Sequence, residues 1–323
     1  MTDSIPAILL IVCGFLFAFA LGALYSGACM GMAVASGSVS RRWAIWLMMP
    51  FLFAGAALAG DSVERTVGHH IFLGEPVPIG VALALLGSST LIATLFLVRR
   101  LPVSTTLVVI ASAIGSAFAV GTPVDWRVVL ALFGLWIITP VVSGALAYGL
   151  VHLLHRLRPT AVPFASHSAA GRATFLALGL ATAFAVGAND VSNSTGAFVM
   201  AGVSGAVFAA LIGGLGLALG ALCFGRYLVD RVAFGIVDLD RPMAVSAQLA
   251  QSAWLLLLVS LGFYSSMNQA MNGALIGVGL KVGGRSVRWT LLREIFFEWG
   301  AGPLVALGLS TALSIGARSI GLG

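Results

Sequence analysis

Three observations assign this chain to the all-α integral membrane proteins. Of its 323 residues, 59% are hydrophobic and only 9% charged, with a mean hydropathy of +1.06. Soluble domains carry about 25% charged residues, so this composition excludes an ordinary soluble fold. The apolar runs are about 20 residues long, the length of a membrane helix; barrel strands would be about ten residues of alternating polarity. The third observation is an internal repeat. Gly55-Ala56-Ala57-Leu58-Ala59-Gly60 recurs as Gly220-Ala221-Leu222-Cys223-Phe224-Gly225, 165 residues further on. The same offset sets Gly22-Ala23 on Gly187-Ala188, Gly31 on Gly196 and Gly37 on Gly202. Later in each half, Trp126 and Pro140 match Trp289 and Pro303 at an offset of 163.

Ten passes are expected, over 7–37, 43–60, 78–98, 104–120, 128–155, 173–203, 205–225, 243–263, 264–280 and 290–317. The first and sixth hold glycine-bounded polar stretches and are expected to be interrupted near the midplane. Five passes per half is odd, so the second half enters the membrane from the opposite side. The fold class is therefore two inverted-topology repeats, with interrupted or re-entrant helices meeting at the midplane. Residues 1–158 form the first repeat, 159–172 a cytoplasmic linker and 173–323 the second repeat.

The net charge of +6 comes from basic residues in short loops: Arg41-Arg42, Arg99-Arg100, Arg156, Arg158 and Arg172, and Lys281, Arg285 and Arg288. That is the positive-inside pattern of a cell (inner) membrane protein, and it argues against a nucleic-acid partner. It places both termini outside the cytoplasm, together with a 61–77 loop carrying Asp61, Glu64, Arg65 and Glu75. Trp43, Trp46, Trp126 and Trp289 fit interfacial anchors in the lipid bilayer. Arg226 and Asp230 are expected to pair at a loop edge, and His69-His70, His152 and His155 sit at segment ends with no assigned role. Cys13, Cys29 and Cys223 lie far apart in apolar segments and form neither a metal set nor a disulfide framework. No nucleophile–base pair, nucleotide loop or metal-ligand spacing is visible, so neither an enzyme nor a cofactor is expected. Glycine-rich surfaces permit a homodimer.

The chemistry concentrates in Val186-Gly187-Ala188-Asn189-Asp190-Val191-Ser192-Asn193-Ser194-Thr195-Gly196. These polar side chains cannot face lipid without a severe penalty, and ionisable residues inside membrane segments turn towards a pathway or a partner. The matching stretch of the first half is Gly22-Ala23-Leu24-Tyr25-Ser26-Gly27-Ala28-Cys29-Met30-Gly31, so Leu24, Tyr25 and Ala28 replace Asn189, Asp190 and Asn193. If glycine unwinds both helices here, the exposed N–H groups at residues 25–31 and 189–196 would attract an anion. Ser26, Gly27 and Ala28 would contribute from one side, and Ser192, Asn193, Ser194 and Thr195 from the other. Asp190 only accepts, so it suits a cation, a proton or a protonated hydroxyl on the ligand. A second polar pair, Ser104-Thr105-Thr106 and Ser265-Ser266 with Asn268 and Gln269, opens two later segments as re-entrant helix starts. Glu294 and Glu298, one helical turn apart, are weaker proton-carrying candidates, since Arg288 and Arg293 are at hand.

Gly187-Ala188-Asn189-Asp190-Val191-Ser192-Asn193 resembles the GANDxxN signature of the inorganic phosphate transporter (PiT) family, and Pro102-Val103-Ser104-Thr105-Thr106 resembles its Pro-(Val/Ile)-Ser-Thr-Thr motif. The resemblance implies a transporter whose signature residues surround phosphate and sodium, which makes Asn189, Asp190, Asn193, Ser104, Thr105 and Thr106 candidate site residues. In that family the signature normally occurs twice. Here the first copy lacks its Asn-Asp pair, and the histidine expected after Ser-Thr-Thr is Leu107. The second half has Tyr264-Ser265-Ser266-Met267 where Pro-Ser-Thr-Thr would stand. These departures are most similar to the sulfate permease branch. The expectation is a secondary active transporter for a tetrahedral oxyanion, sulfate ahead of phosphate because sulfate needs only donors. Asp190, with Asn189 and Asn193, would carry the coupling ion, a proton first and sodium as the alternative. A passive anion pore is the rival.

Overall fold

The computed structural model describes residues 4–71, 77–102, 104–157, 168–261, 263 and 265–322, and these form ten helices. In chain order they are α1 (Ser4–Ala35), α2 (Arg41–Ile71), α3 (Ile79–Arg99), α4 (Thr105–Val120), α5 (Trp126–Arg156), α6 (Ala169–Met200), α7 (Ala206–Gly235), α8 (Arg241–Ser260), α9 (Met267–Lys281) and α10 (Trp289–Ser319). Among the described residues, eight helices are long and apolar enough to cross a membrane. The other two, α4 and α9, have 16 and 15 residues. At 1.5 Å per residue they reach about 24 and 22 Å, short of a hydrocarbon core about 30 Å thick. The ten expected crossings therefore become eight membrane-length helices and two short ones that begin in the protein interior.

The largest departure from expectation lies in α1 and α6, which run unbroken through both glycine-bounded polar stretches. Their glycines serve close packing. A Cβ on Gly22 would lie 1.9 Å from the Leu217 carbonyl oxygen, and one on Gly187 would lie 2.1 Å from that of Leu52. Their hydroxyls fold back onto the helix that carries them. Ser26 donates to the Gly22 carbonyl (2.7 Å), Ser192 to Asn189 (3.1 Å), and Ser194 and Thr195 both to Val191 (2.8 Å each). Satisfied in this way, polar residues can ride on an intact helix, and no backbone group is released into hydrocarbon.

Two boundaries also move. The helix α2 continues to Ile71, through most of the expected 61–77 loop, and α7 continues to Gly235, beyond the expected end at 225. Glu75, Arg158, Tyr264, Val103 and the side chains of Asp61, Glu64, Arg65, His69 and His70 lie outside the described residues. So does most of the 159–172 linker, whose end already belongs to α6.

Contacts at the helix ends sort them onto two faces. On one, Arg241 at the start of α8 donates to the Ser36 carbonyl just past α1 (3.1 Å). Arg41 pairs with Asp230 (2.6 Å) and Arg288 donates to the Phe234 carbonyl (2.6 Å) on that same face. On the other, the Gly80 N–H meets the Leu322 carbonyl and Arg318 reaches the Ala119 carbonyl, both at 3.0 Å. The arginines at the starts of α2, α8 and α10 thus gather on one side.

The core is built by helices of one half packing on helices of the other. The helix α1 lies on α7 and α2 on α6, while α4 packs against α10 and α9 against α5. Each pairing is matched when the halves are exchanged. Gly22 meets Leu217 as Gly187 meets Leu52, and Gly220 meets the Phe19 carbonyl as Gly55 meets that of Phe184. All four positions keep the 165-residue offset read from the sequence.

Candidate functional site

The buried polar side chains converge where α4 and α9 begin. Both helices open on a serine: Ser104 is 2% exposed and Ser266 fully buried. The Ser266 hydroxyl donates to that of Ser104 at 2.9 Å, so the N-terminal ends of the two short helices meet. Ser266 also accepts from the Gln269 N–H in the first turn of α9. Two positive helix ends facing one point favour an anion there, because their first N–H groups have no partner within the helix.

Each half grips its own short helix from its first helix. In the second half, Asn189 on α6 clamps the chain just before α9: its Nδ2 donates to the Ser265 carbonyl (2.9 Å) and its Oδ1 accepts from the Ser265 N–H (3.2 Å). This pairing holds a non-helical segment at membrane depth with its backbone satisfied. In the first half, Tyr25 on α1 shares a 2.7 Å hydrogen bond with the Thr105 hydroxyl at the start of α4. Tyr25 also lies within interaction range of Asp190.

Asp190 is fully buried. Its Oδ1 accepts from Asn193 Nδ2 at 2.8 Å, and its Oδ2 has no partner. Asn193 Oδ1, Gln269 Oε1 and the hydroxyls of Thr106 and Ser265 are buried without partners as well. An unpaired buried polar group costs about 1–3 kcal/mol, so this cluster of open oxygens is the candidate binding site. The set is rich in acceptors, with donors supplied by Thr106, Ser265 and the two helix ends. No group of His, Cys, Asp or Glu suited to a metal ion occurs among the described residues, so a cation here would be held by mixed oxygens around a single carboxylate.

Of the residues singled out in the sequence, Asn189, Asp190, Asn193, Ser104, Thr105, Thr106, Ser265, Ser266 and Gln269 come together here, with Asn268 beside them and fully buried. Others do not. Ser26 and Gly27 are pressed against Gly225 and Leu228 of α7, and Ser194 and Thr195 against Gly213 of the same helix. Continuous helices leave them no free backbone N–H to offer an anion. Ser192 is spent on its own helix, and Ala28 takes part only through its carbonyl, which accepts from Gln251 (2.6 Å). Glu298 is held by Arg99 at 2.7 Å and Glu294 is exposed, so neither belongs to this cluster. Asp230 pairs with Arg41 rather than with Arg226.

Sequence reasoning missed Tyr25 as a contact, and it missed a polar seam on α8. Gln248 donates to Thr182 (2.8 Å), which in turn bonds Ser252, and the Oε1 atoms of Gln248 and Gln251 are buried without partners. Asn272 on α9 reaches the Pro102 carbonyl at 3.5 Å. Two glutamines three residues apart in an apolar pass were a signal of the same kind as Asn189-Asp190.

Comparison with known proteins identifies the family and the fold. The chain matches the Phosphate transporter family over residues 21–175 and 165–310. A Haemophilus influenzae protein named "Putative phosphate permease" is 28% identical over 89% of this chain and 91% of its own length. "Sulfate permease CysP" of Bacillus subtilis is 25% identical, over 92% of this chain and 84% of its own. A solved structure titled "The sodium-dependent phosphate transporter" superposes with a TM-score of 0.89 at 21% identity, covering 99% of this chain and all of that one, which establishes a shared fold. A multi-pass helical membrane protein with its buried polar residues gathered at the ends of two short helices, this chain belongs to the phosphate transporter family.

Proposed function

We propose that the protein is a cation-coupled secondary transporter for a tetrahedral oxyanion, with inorganic phosphate as the substrate the site suits best. The observation that carries the reading is the mixture of open oxygens at the tips of α4 and α9. Helix-end N–H groups with the Thr106 and Ser265 hydroxyls supply donors to an anion. Asp190 Oδ2, Asn193 Oδ1 and Gln269 Oε1 supply acceptors. Sulfate at neutral pH has no proton to give those acceptors, whereas hydrogen phosphate does. This shifts the balance from the sulfate expected on sequence grounds to phosphate, in keeping with the name of the Haemophilus influenzae relative.

Asp190 is the seat of the coupling cation, either a proton on Oδ2 or a sodium ion shared by Oδ2 and Asn193 Oδ1. Neutralising Asp190 removes a negative charge beside the anion, so cation and anion favour each other's binding, as symport requires. The two halves act as inverted repeats. The end of α1 and the start of α8 share a face, and the close contacts recur at a constant offset, which supports alternating access by movement of one bundle against the other. With the arginine-rich face in the cytoplasm, both termini lie outside.

The test is uptake of labelled phosphate and labelled sulfate into proteoliposomes, each competed by the other unlabelled anion, under separately imposed proton and sodium gradients. Preferential uptake of phosphate, driven by one of the two gradients, is expected. Labelled sulfate accumulating undisturbed by excess phosphate would return the assignment to a sulfate permease. A pore would show neither accumulation nor trans-stimulated exchange.

A further inference from the structure

A cavity of about 420 Å³ opens at the arginine-rich membrane face between the start of α2 and the last third of α7. Its volume is within the range of about 300–1,000 Å³ typical of small-ligand pockets. Arg41, Arg42, Arg226 and Asp230 line it, with Ile45, Trp46 and Leu222. Three guanidinium groups thus face a single carboxylate, and that carboxylate is taken up by Arg41 at 2.6 Å. Among the described residues neither Arg42 nor Arg226 pairs with an acid. The Arg226 guanidinium lies 5.3 Å from the centre of the Tyr227 ring, whose face also carries Arg100 at 4.5 Å, so the positive charge extends around α7.

The fold itself does not require this charge. The 165-residue offset that relates the helix contacts places Ala206, Val207 and Leu211 where Arg41, Arg42 and Trp46 stand. Val207 is 78% exposed and Leu211 43%, so the matching end of α7 on the opposite face is apolar. The start of α2 is basic where the start of α7 is apolar, and the pocket is separate from the buried site at α4 and α9.

We propose that this cavity binds the phosphate headgroup of an anionic phospholipid in the adjoining leaflet. The shared chemistry is a phosphate oxyanion against guanidinium groups, for which the planar N–H fork of arginine is well matched. A lipid is favoured over a free anion by the rest of the lining. Ile45 and Leu222 give the pocket an apolar floor, and Trp46, half exposed, stands beside Trp43 at the level of an interfacial anchor. Basic pockets between helices at the cytoplasmic side of membranes are suited to such headgroups.

Trp46 makes the proposal measurable. The full-length protein is reconstituted in phosphatidylcholine vesicles containing either brominated phosphatidylglycerol or brominated phosphatidylcholine, and tryptophan quenching is compared. Stronger quenching by the anionic lipid is expected, and Trp46→Phe should remove that excess while leaving every arginine in place. The double replacement Arg42→Gln, Arg226→Gln should weaken the preference for phosphatidylglycerol on the order of tenfold. A control pair, Lys281→Gln with Arg285→Gln, should retain it. Equal loss in the control pair would reduce the effect to general attraction by basic loops and overturn the site. Displacement by millimolar inorganic phosphate would overturn the lipid assignment in favour of a soluble anion. Equal quenching by both lipids in the unmodified protein would overturn the proposal outright.

Discussion

Tyr25 and Asp190 occupy equivalent positions in the two halves, both fully buried, and they do opposite things. Tyr25 spends its hydroxyl on Thr105 and fills its surroundings with a ring. Asp190 keeps one carboxylate oxygen open. Their neighbours diverge in step, since Leu24 and Ala28 stand where Asn189 and Asn193 do. The glycine contacts beneath them are by contrast nearly interchangeable: Gly22 on Leu217 repeats Gly187 on Leu52. The comparison separates two demands on one framework. Packing of helix on helix constrains both halves equally, whereas the carboxylate at this position is carried by the second half alone.

The comparison can be broken first at the glycines. Gly22→Ala and Gly187→Ala each drive a methyl group into a neighbouring backbone carbonyl that has no rotamer by which to escape. Overpacking of this kind costs about 1–3 kcal/mol, and a backbone carbonyl as the obstacle puts these sites at the upper end. Both variants should lose most monodisperse protein on size-exclusion chromatography, and to a similar degree. A large difference between them would mean that the halves are not equivalent in packing.

Asp190→Asn comes next, keeping the shape and removing the charge. Gradient-driven accumulation should be lost, with the protein still folded. The reverse substitution, Tyr25→Asp, supplies a second carboxylate. If the halves are chemically interchangeable, the number of cations moved per anion should rise, as read from the reversal potential of proteoliposomes. An unchanged ratio would show that the first half has lost more than one ligand.

Smaller effects probe the two grips on the short helices. Asn189→Ala leaves both the N–H and the carbonyl of Ser265 unpaired and should lower stability by about 2–4 kcal/mol. Tyr25→Phe removes one shared hydroxyl contact and should cost only about 1 kcal/mol. The ranking, visible as a larger drop in thermal unfolding midpoint for Asn189→Ala, sharpens the contrast between a backbone clamp and a side-chain contact. Smallest of all, Ser104→Ala should raise the KM for phosphate a few-fold, about 1 kcal/mol, with little change in unfolding temperature.

Much of this arrangement is legible in the sequence. Polar residues in apolar runs located Asn189, Asp190, Ser104 and Ser266, and the 165-residue offset anticipated which glycines would play matching parts. What could not be read was the state of the backbone around them. A glycine that releases a helix and one that admits a neighbouring helix have the same local sequence. Gly22 and Gly187 do the second, as only their contacts with Leu217 and Leu52 reveal. Likewise Ser194 and Thr195 look like ligands until their hydroxyls are seen bonded to the Val191 carbonyl. The extension of α2 to Ile71 was hidden by Asp61, Glu64 and Arg65, whose charges suggested a loop.

The hydroxyl pair between Ser104 and Ser266 has one further consequence. Two serines in equivalent places can match in every heavy atom, but their protons cannot match, because within a single hydrogen bond one oxygen gives and the other receives. Ser266 gives here, which leaves the proton of Ser104 uncommitted to its counterpart. The meeting point of the two helix tips therefore has a donor end and an acceptor end, and the Ser104 proton is turned away from Ser266.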